Sequence, residues 1–199
     1  MADPRKNYPA TGRNLEAILD VLRVALPADA HVLEVASGSG QHGRGIVEAL
    51  EAVRWQPSSY EADERASIDA WADGHPRIAA ALDLDVRRHP WPVGEGAFDA
   101  LFCANMIHIA PWACTPALFR GAARAVKPRG DLLLYGPFDV PWQPLAPSNQ
   151  AFDASLRQRD PTWGVRHLDQ VEAAAAEHGF ALQGTHLMPA NNLTLVFRR

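Results

Sequence analysis

Cysteine is scarce: only Cys103 and Cys114 occur among 199 residues. That is too few for the disulfide framework of a small secreted domain, and a reducing compartment fits best. Long apolar runs are missing too. The most apolar early stretch, AILDVLRVAL, is interrupted by Asp20 and Arg23, and the polar opening MADPRKNYPATGRN has no apolar core of signal-peptide length. Neither membrane spanning nor export is indicated, and a cytoplasmic location is expected. Nor is there an excess of one charge, since 19 basic and 23 acidic residues leave a formal charge of -4 spread along the chain. No electrostatic reason remains for a nucleic-acid or anionic-membrane partner, and the pairs Arg87-Arg88 and Arg198-Arg199 read as solvated surface. The motifs G-x-S-x-G and G-K-[ST] are absent, which removes support for hydrolase and nucleotide-triphosphatase readings. Cys103, His108 and Cys114 lack the paired short spacing of a zinc site, so no metal is expected.

What is present is an alternation of short apolar runs and amphipathic helices. Leu15, Ile18, Leu19, Leu22 and Leu26 recur at helical spacing from Asn14 onward, predicting a helix that ends before Pro27. Strands are expected near 31–35, 56–61, 78–84, 97–103 and 130–136, with helices near 41–52, 64–73, 114–126 and 167–178. That order builds a parallel sheet covered by helices on both faces. Gly179 stops the last helix, and FALQGTHL (180–187) and NLTLVFRR (192–199) follow with only MPAN between them. Two strands so closely linked must run antiparallel. The expected fold is α/β: one Rossmann-like domain over residues 1–199, with a seven-stranded, mostly parallel sheet finished by an antiparallel hairpin.

One segment breaks the rhythm. GPFDVPWQPLAPSNQAFDASLRQRDPTWG carries four prolines in its first half, which forbid continuous helix or strand there. As an insert at about 137–166 it is a lid or substrate wall, because Phe138, Trp142, Phe152 and Trp163 are costly to leave in water. A surface loop is the alternative.

The stretch VLEVASGSGQHG contains G-x-G-x-x-G at Gly38, Gly40 and Gly43. Glycines after a strand let the backbone turn tightly and approach a ligand, while the next helix offers free N–H groups. Dinucleotide and S-adenosylmethionine sites both use this geometry. Glu34 separates them: an acid four residues before the first glycine suits a cationic ligand and repels a pyrophosphate. Downstream, YEAD offers Glu61 or Asp63 to ribose hydroxyls, LDLDV puts Asp85 where a carboxylate accepts from an adenine amino group, and Phe98-Asp99 opens a strand finishing at Asn105, Met106 and His108. AVKPRGDLLLYG then ends a helix and restarts a strand.

Taken in this order, these residues resemble the class I S-adenosylmethionine-dependent methyltransferases over about residues 30–136. More narrowly, nearly the whole chain is similar to a family of methyltransferase-like proteins labelled DUF938. Arg13-Asn14, LEVASGSGQHG, NMIHI, GPF, Ser148-Asn149 with Phe152-Asp153, Trp163-Gly164 with Arg166, and MPANN carry that likeness. The resemblance implies S-adenosyl-L-methionine as cofactor and S-adenosyl-L-homocysteine as product. Glu34, Ser37, Gly38 and Gly40 would then shape the methionine end, Glu61 the ribose and Asp85 the adenine, with Ala36, His42, Ala62, Val86, Asn105 and Met106 completing the cofactor set. Two departures stand out: Ala36 replaces the loop's first glycine, and the turn reads KPRG rather than KPGG. Alanine takes a positive φ only at a cost, so a conventional backbone is expected at Ala36.

Methyl transfer from a sulfonium is an in-line displacement in which alignment and exclusion of water matter most, and a base is optional. His108 is the leading base, with capping or packing as the alternative. Tyr135 and Arg166 complete the catalytic candidates; Arg166 suggests a carboxylate or phosphate on the substrate, or else pairs with Asp160 or Asp169. His42 donates to the cofactor's carboxylate or packs on the loop, its basicity lowered by the helix N-terminus. Phe138, Trp142, Trp163, Asn191 and Asn192 are the candidates for acceptor contact, though asparagines in a turn also support the backbone. With no separate recognition domain or basic face, a small-molecule acceptor is expected, on a monomer or homodimer. An NAD(P)-dependent oxidoreductase and a non-catalytic S-adenosylmethionine-binding protein are the alternatives.

Overall fold

The structure, a computed structural model, describes residues 3–199. Helix α1 (Pro9–Ala25) begins before the expected Asn14 because a proline fits the first helical turn, where no N–H is needed. Next come β1 (His31–Val35), α2 (Gln41–Ala49), β2 (Arg54–Gln56), β3 (Ser58–Ser59), α3 (Ala62–Ala72), β4 (Leu82–Asp83) and β5 (Phe98–Ala104). A 3-10 turn, Met106–His108, leads to α4 (Cys114–Ala125), which runs directly into β6 (Val126–Gly136). The insert contains β7 (Phe138–Asp139), α5 (Pro147–Arg159) and β8 (Arg166–His167), and α6 (Leu168–Ala176), β9 (Ala181–Met188) and β10 (Asn192–Arg198) follow.

Six strands form the main sheet, in the order β2-β1-β5-β6-β10-β9, rather than the seven expected. The first four in that order run parallel, and β10 pairs antiparallel with both β6 and β9, making the terminal hairpin. The strand expected at 78–84 does not join the sheet. Pro57 divides its partner into β2 and β3, and proline has no N–H with which to continue a ladder. Only an isolated bridge between Trp55 and Ile78 and a two-stranded pairing of β3 with β4 remain.

Helices cover both faces, which is why the central strands are apolar on both sides. On one face Val32, Phe102, Leu133 and Val196 meet Ile18, Leu19 and Leu22 of α1 and Ile46 and Val47 of α2. On the other, Leu33, Leu101, Leu132, Leu134 and Phe197 meet Leu118 and Phe119 of α4 and Leu168 and Val171 of α6. Glu34, in register with Phe102, interrupts the first set. At the opposite end of the strands, Asp99 accepts from the His31 amide at 2.9 Å and from Lys127 Nζ at 2.6 Å, tying the starts of β1, β5 and β6 together.

The insert is better ordered than its prolines suggest. Pro147 opens the 13-residue α5, whose only buried residues are Asn149 and Leu156, so no apolar stripe announced it. Asn149 Nδ2 donates to the Asn191 carbonyl at 2.8 Å and Asn191 Nδ2 to Ser148 Oγ at 3.0 Å, docking α5 on the hairpin turn.

Arg129, in the turn before the main ladder of β6, takes a left-handed φ of 65°. Replacing it with glycine removes the Cβ penalty, and Arg129→Gly is expected to raise the unfolding free energy by about 0.5–1 kcal/mol. The check is an upward shift of the urea midpoint with unchanged slope; a downward shift contradicts it.

Candidate functional site

From β1 the chain passes through α2 to β2 on one side, then returns to β5 on the other. The strand order reverses at this point, and a crevice opens beyond the carboxyl ends of β1 and β5, the usual ligand position in open α/β sheets. Here the crevice is a cleft of about 610 Å³, within the range of small-molecule sites. Its walls come from the loops after β1, β3, β4 and β5, from Tyr8, Thr11 and Asn14 at the start of the chain, and from Arg159, Asp160 and Trp163 of the insert.

The loop after β1 departs from expectation at its first position. Ala36 takes φ 58°, a left-handed conformation instead of the conventional one. The surrounding bonds hold the loop in place: Ser37 N donates to the Ser58 carbonyl at 2.8 Å, Ser58 Oγ donates to the Glu34 carbonyl at 2.7 Å, and Ser58 N donates to Ser37 Oγ at 3.1 Å. Gly40 is at φ 93°, and a Cβ there would lie 2.7 Å from Ile68 Cα. At Gly43 a Cβ would meet the Trp55 indole at 2.7 Å, so this third glycine exists to admit Trp55.

Trp55 in turn holds the acid, donating from Nε1 to Glu34 Oε2 at 2.8 Å. Glu34 lines the cleft yet is only 2% exposed, and among the described residues no Lys or Arg pairs with it. Burial pushes its pKa up from 4.5 to about 7, against the opposing pull of the Trp55 and Ser37 hydrogen bonds. Beside it, His42 lines the cleft with Nε2 buried and unpartnered. Burial, rather than the helix terminus, lowers its pKa to about 4, so the ring is neutral.

The other cofactor candidates mostly meet here. Ala36, Ser37, Gly38, Glu61, Val86, Asn105 and Met106 line the same cleft, whereas Gly40 and Ala62 do not. Glu61 accepts from the Tyr60 hydroxyl at 2.7 Å. Asp85 is present with both oxygens engaged by Arg87, at 3.0 Å from Nε and 2.9 Å from Nη2, which holds its carboxyl below the usual range.

The catalytic candidates do not line the cleft. His108 is fully buried beneath Phe138, ring centroids 5.0 Å apart, and burial lowers its pKa to about 3. Its carbonyl accepts from the Gly164 amide at 2.9 Å. Arg166 is also buried and pairs with neither Asp160 nor Asp169: it donates to the carbonyls of Ile107 (2.8 Å), Ala110 (2.6 Å) and Thr162 (3.0 Å). Tyr135 Oη accepts from Asn192 Nδ2 at 3.0 Å, and burial pushes its pKa up to about 12. Of the acceptor candidates, only Trp163 lines the cleft; Trp142 is 57% exposed elsewhere, and Asn191 serves the turn and α5. Sequence reasoning missed Tyr8, Ile109 and Arg159. No motif or periodicity in the sequence marks any of the three; the folded structure shows Tyr8 and Ile109 as exposed large apolar side chains at the cleft.

The family model described as "Protein of unknown function (DUF938)" matches residues 5–199. Among solved structures, the pyocyanin biosynthetic protein PhzM is similar with a TM-score of 0.77 and 17% identity, covering 92% of this chain and 54% of that one. An O-methyltransferase family protein from Burkholderia thailandensis gives 0.75 and 15%, with 92% and 55% covered. CalO1, a methyltransferase in calicheamicin biosynthesis, in its SAH-bound form, gives 0.74 and 16%, with 94% and 53% covered. At these identities the likeness is one of fold, and the chain spans about half the length of each of these proteins.

The raised Glu34 pKa has a consequence for stability. Below pH 4.5 the carboxyl is neutral folded or unfolded and its contribution is fully present; as pH rises through about 7, ionisation in the folded state removes it. At 1.36 kcal/mol per pKa unit, the native sequence should lose on the order of 3 kcal/mol relative to Glu34→Gln across that interval. Urea denaturation of both proteins against pH measures it, and parallel curves contradict it.

Proposed function

The chain belongs to the DUF938 family, and on that premise we propose that it transfers a methyl group from S-adenosylmethionine to a small-molecule acceptor. The observation that carries this reading is Glu34: a buried acid facing a cleft, without a cationic partner in the described chain. Such a group favours an ammonium-bearing ligand over a diphosphate. The neutral His42 beside it, with Nε2 unpartnered, offers a donor or acceptor without adding charge. When bound, S-adenosylmethionine supplies a methyl group on a sulfonium, open to in-line displacement.

The residues divide the remaining work. Glu34, Ser37, Gly38 and the backbone after Ala36 receive the methionine end, Glu61 the ribose hydroxyls, and Asp85 with Val86 the adenine side of the cleft. Asn105 and Met106 form the floor, and Trp163 and Ile109 wall off the acceptor and keep water from it. His108, Tyr135 and Arg166 act as positioning residues in this reading: the first and third fasten the insert to the turn after β5, and the second fastens the terminal hairpin. With His108 and Tyr135 both outside the cleft and neutral near pH 7, catalysis rests on alignment and dehydration rather than on a strong base.

Calorimetry tests the cofactor directly. S-adenosylhomocysteine is expected to bind and NADH not to. Glu34→Gln, which keeps a group to face Trp55 but loses the charge, should weaken S-adenosylhomocysteine about 10-fold or more. Binding of NADH in its place would sink the reading.

A further inference from the structure

Two arginines line the cleft, and only one of them has an acid. Arg87 is held by Asp85 through two hydrogen bonds. Arg159, the last residue of α5, makes no ion pair with any carboxylate among the described residues. The acids nearest to it in sequence are committed elsewhere: Asp153 pairs with Arg157 at 2.7 Å, and Asp160 accepts from Thr162 N at 2.8 Å and Thr162 Oγ1 at 2.6 Å. What Arg159 has instead is Trp163, with the guanidinium carbon 5.0 Å from the indole ring centroid. An arginine positioned by an aromatic ring keeps its fork of N–H donors for an oxygen acceptor, which it can bind in a two-pronged fashion.

The rest of the cleft gives this unpaired cation a direction. Glu34, Glu61, Glu64 and Asp85 line the wall formed by the loops after β1, β3 and β4, whereas the insert contributes Arg159, Trp163 and a single acid, Asp160, whose Oδ1 is engaged by Thr162. Ile109, Ala110 and Pro111 continue the apolar surface beside them. An anionic ligand entering such a cleft is repelled by the acidic wall and finds its one unengaged arginine on the insert. A flat apolar body finds its partners in the indole edge of Trp163 and the apolar stretch Ile109 to Pro111.

Building on the methyl-transfer reading, we propose that Arg159 and Trp163 form the acceptor-recognition end of the cleft, and that the acceptor is a small flat molecule bearing a carboxylate or a phosphate. Four of the cleft's five acids then serve a cationic donor from the loops after β1, β3 and β4, and the stacked arginine of the insert serves an anionic acceptor, with the fifth acid, Asp160, engaged by Thr162. The carboxylate or phosphate anticipated from the sequence for Arg166 passes to Arg159, because Arg166 lies outside the cleft and gives its Nε and Nη2 donors to three backbone carbonyls.

The test is calorimetry on protein saturated with S-adenosylhomocysteine, titrated with benzoate, phenyl phosphate, benzamide and benzylamine. One of the two anions should bind about 10-fold or more tightly than neutral benzamide, with cationic benzylamine weakest. Which anion leads decides between carboxylate and phosphate. Arg159→Gln should erase the preference while leaving benzamide and S-adenosylhomocysteine affinity unchanged, Arg159→Lys should keep part of it, and Trp163→Ala should weaken all the aromatic probes alike. Equal binding of anions and benzamide, a preference that survives Arg159→Gln, or loss of S-adenosylhomocysteine affinity on that substitution overturns the proposal. Native protein that does not bind S-adenosylhomocysteine at all removes the methyl-transfer reading instead, and the same titrations without it then decide the anion subsite separately.

Discussion

A carboxyl group set into an otherwise apolar face of a parallel sheet must be either satisfied or neutral, and Glu34 constrains its surroundings accordingly. Trp55 supplies a donor, Gly43 is a glycine because any side chain would displace that indole, and Gly40 lies left-handed against Ile68 at the start of α2. Ser58 and Ser37 pin the strand end that carries the acid. Within the pattern that looks like a phosphate cradle, Gly43 therefore clears that tryptophan, Gly40 clears Ile68 and Gly38 lines the cleft. Burial without a countercharge leaves the pKa of that acid near 7, so whatever cation enters the cleft also decides its charge.

A second network serves the cleft from behind. Polar residues near the sheet's carboxyl edge, which look chemical in the sequence, satisfy backbone groups instead. Arg166 takes the carbonyls that the turn after β5 leaves open, Gly164 reaches the His108 carbonyl, and Asn149 and Asn191 lock α5 to the hairpin. Each contact joins segments far apart in the chain. These bonds tie the insert to the turn after β5 and to the hairpin, and its Arg159 and Trp163 line the cleft.

Much of this was legible in the residues. HVLEV, the glycine loop and the short link before the last strand specified the parallel start and antiparallel finish of the sheet, because period-two patterning and connection length are local properties. Other features were not local. Whether Pro57 would split an edge strand depended on which partner lay beside it, and α5 has too little buried surface to leave a periodic trace. Ala36 adopts a conformation that its side chain disfavours by about 1–2 kcal/mol, because bonds from Ser37 and Ser58 fix the loop on either side. The cleft residues contributed by the loops after β1, β3, β4 and β5 follow one another along the chain and could be read in order. Tyr8 and Arg159 lie far apart in the chain, and only the fold brings them to one cleft with Trp163.

In the methyl-transfer reading, the burial of Glu34 and the position of the cleft at the strand-order reversal make the site a neutral-to-anionic receptor for the cationic end of the cofactor. Proton release on ligand binding measures this most directly. About one pH unit below the Glu34 pKa of about 7, S-adenosylhomocysteine titrated calorimetrically in two buffers of different ionisation enthalpy should release close to one proton per site, and Glu34→Gln should release none. Binding by the native protein with no proton released would contradict the central claim.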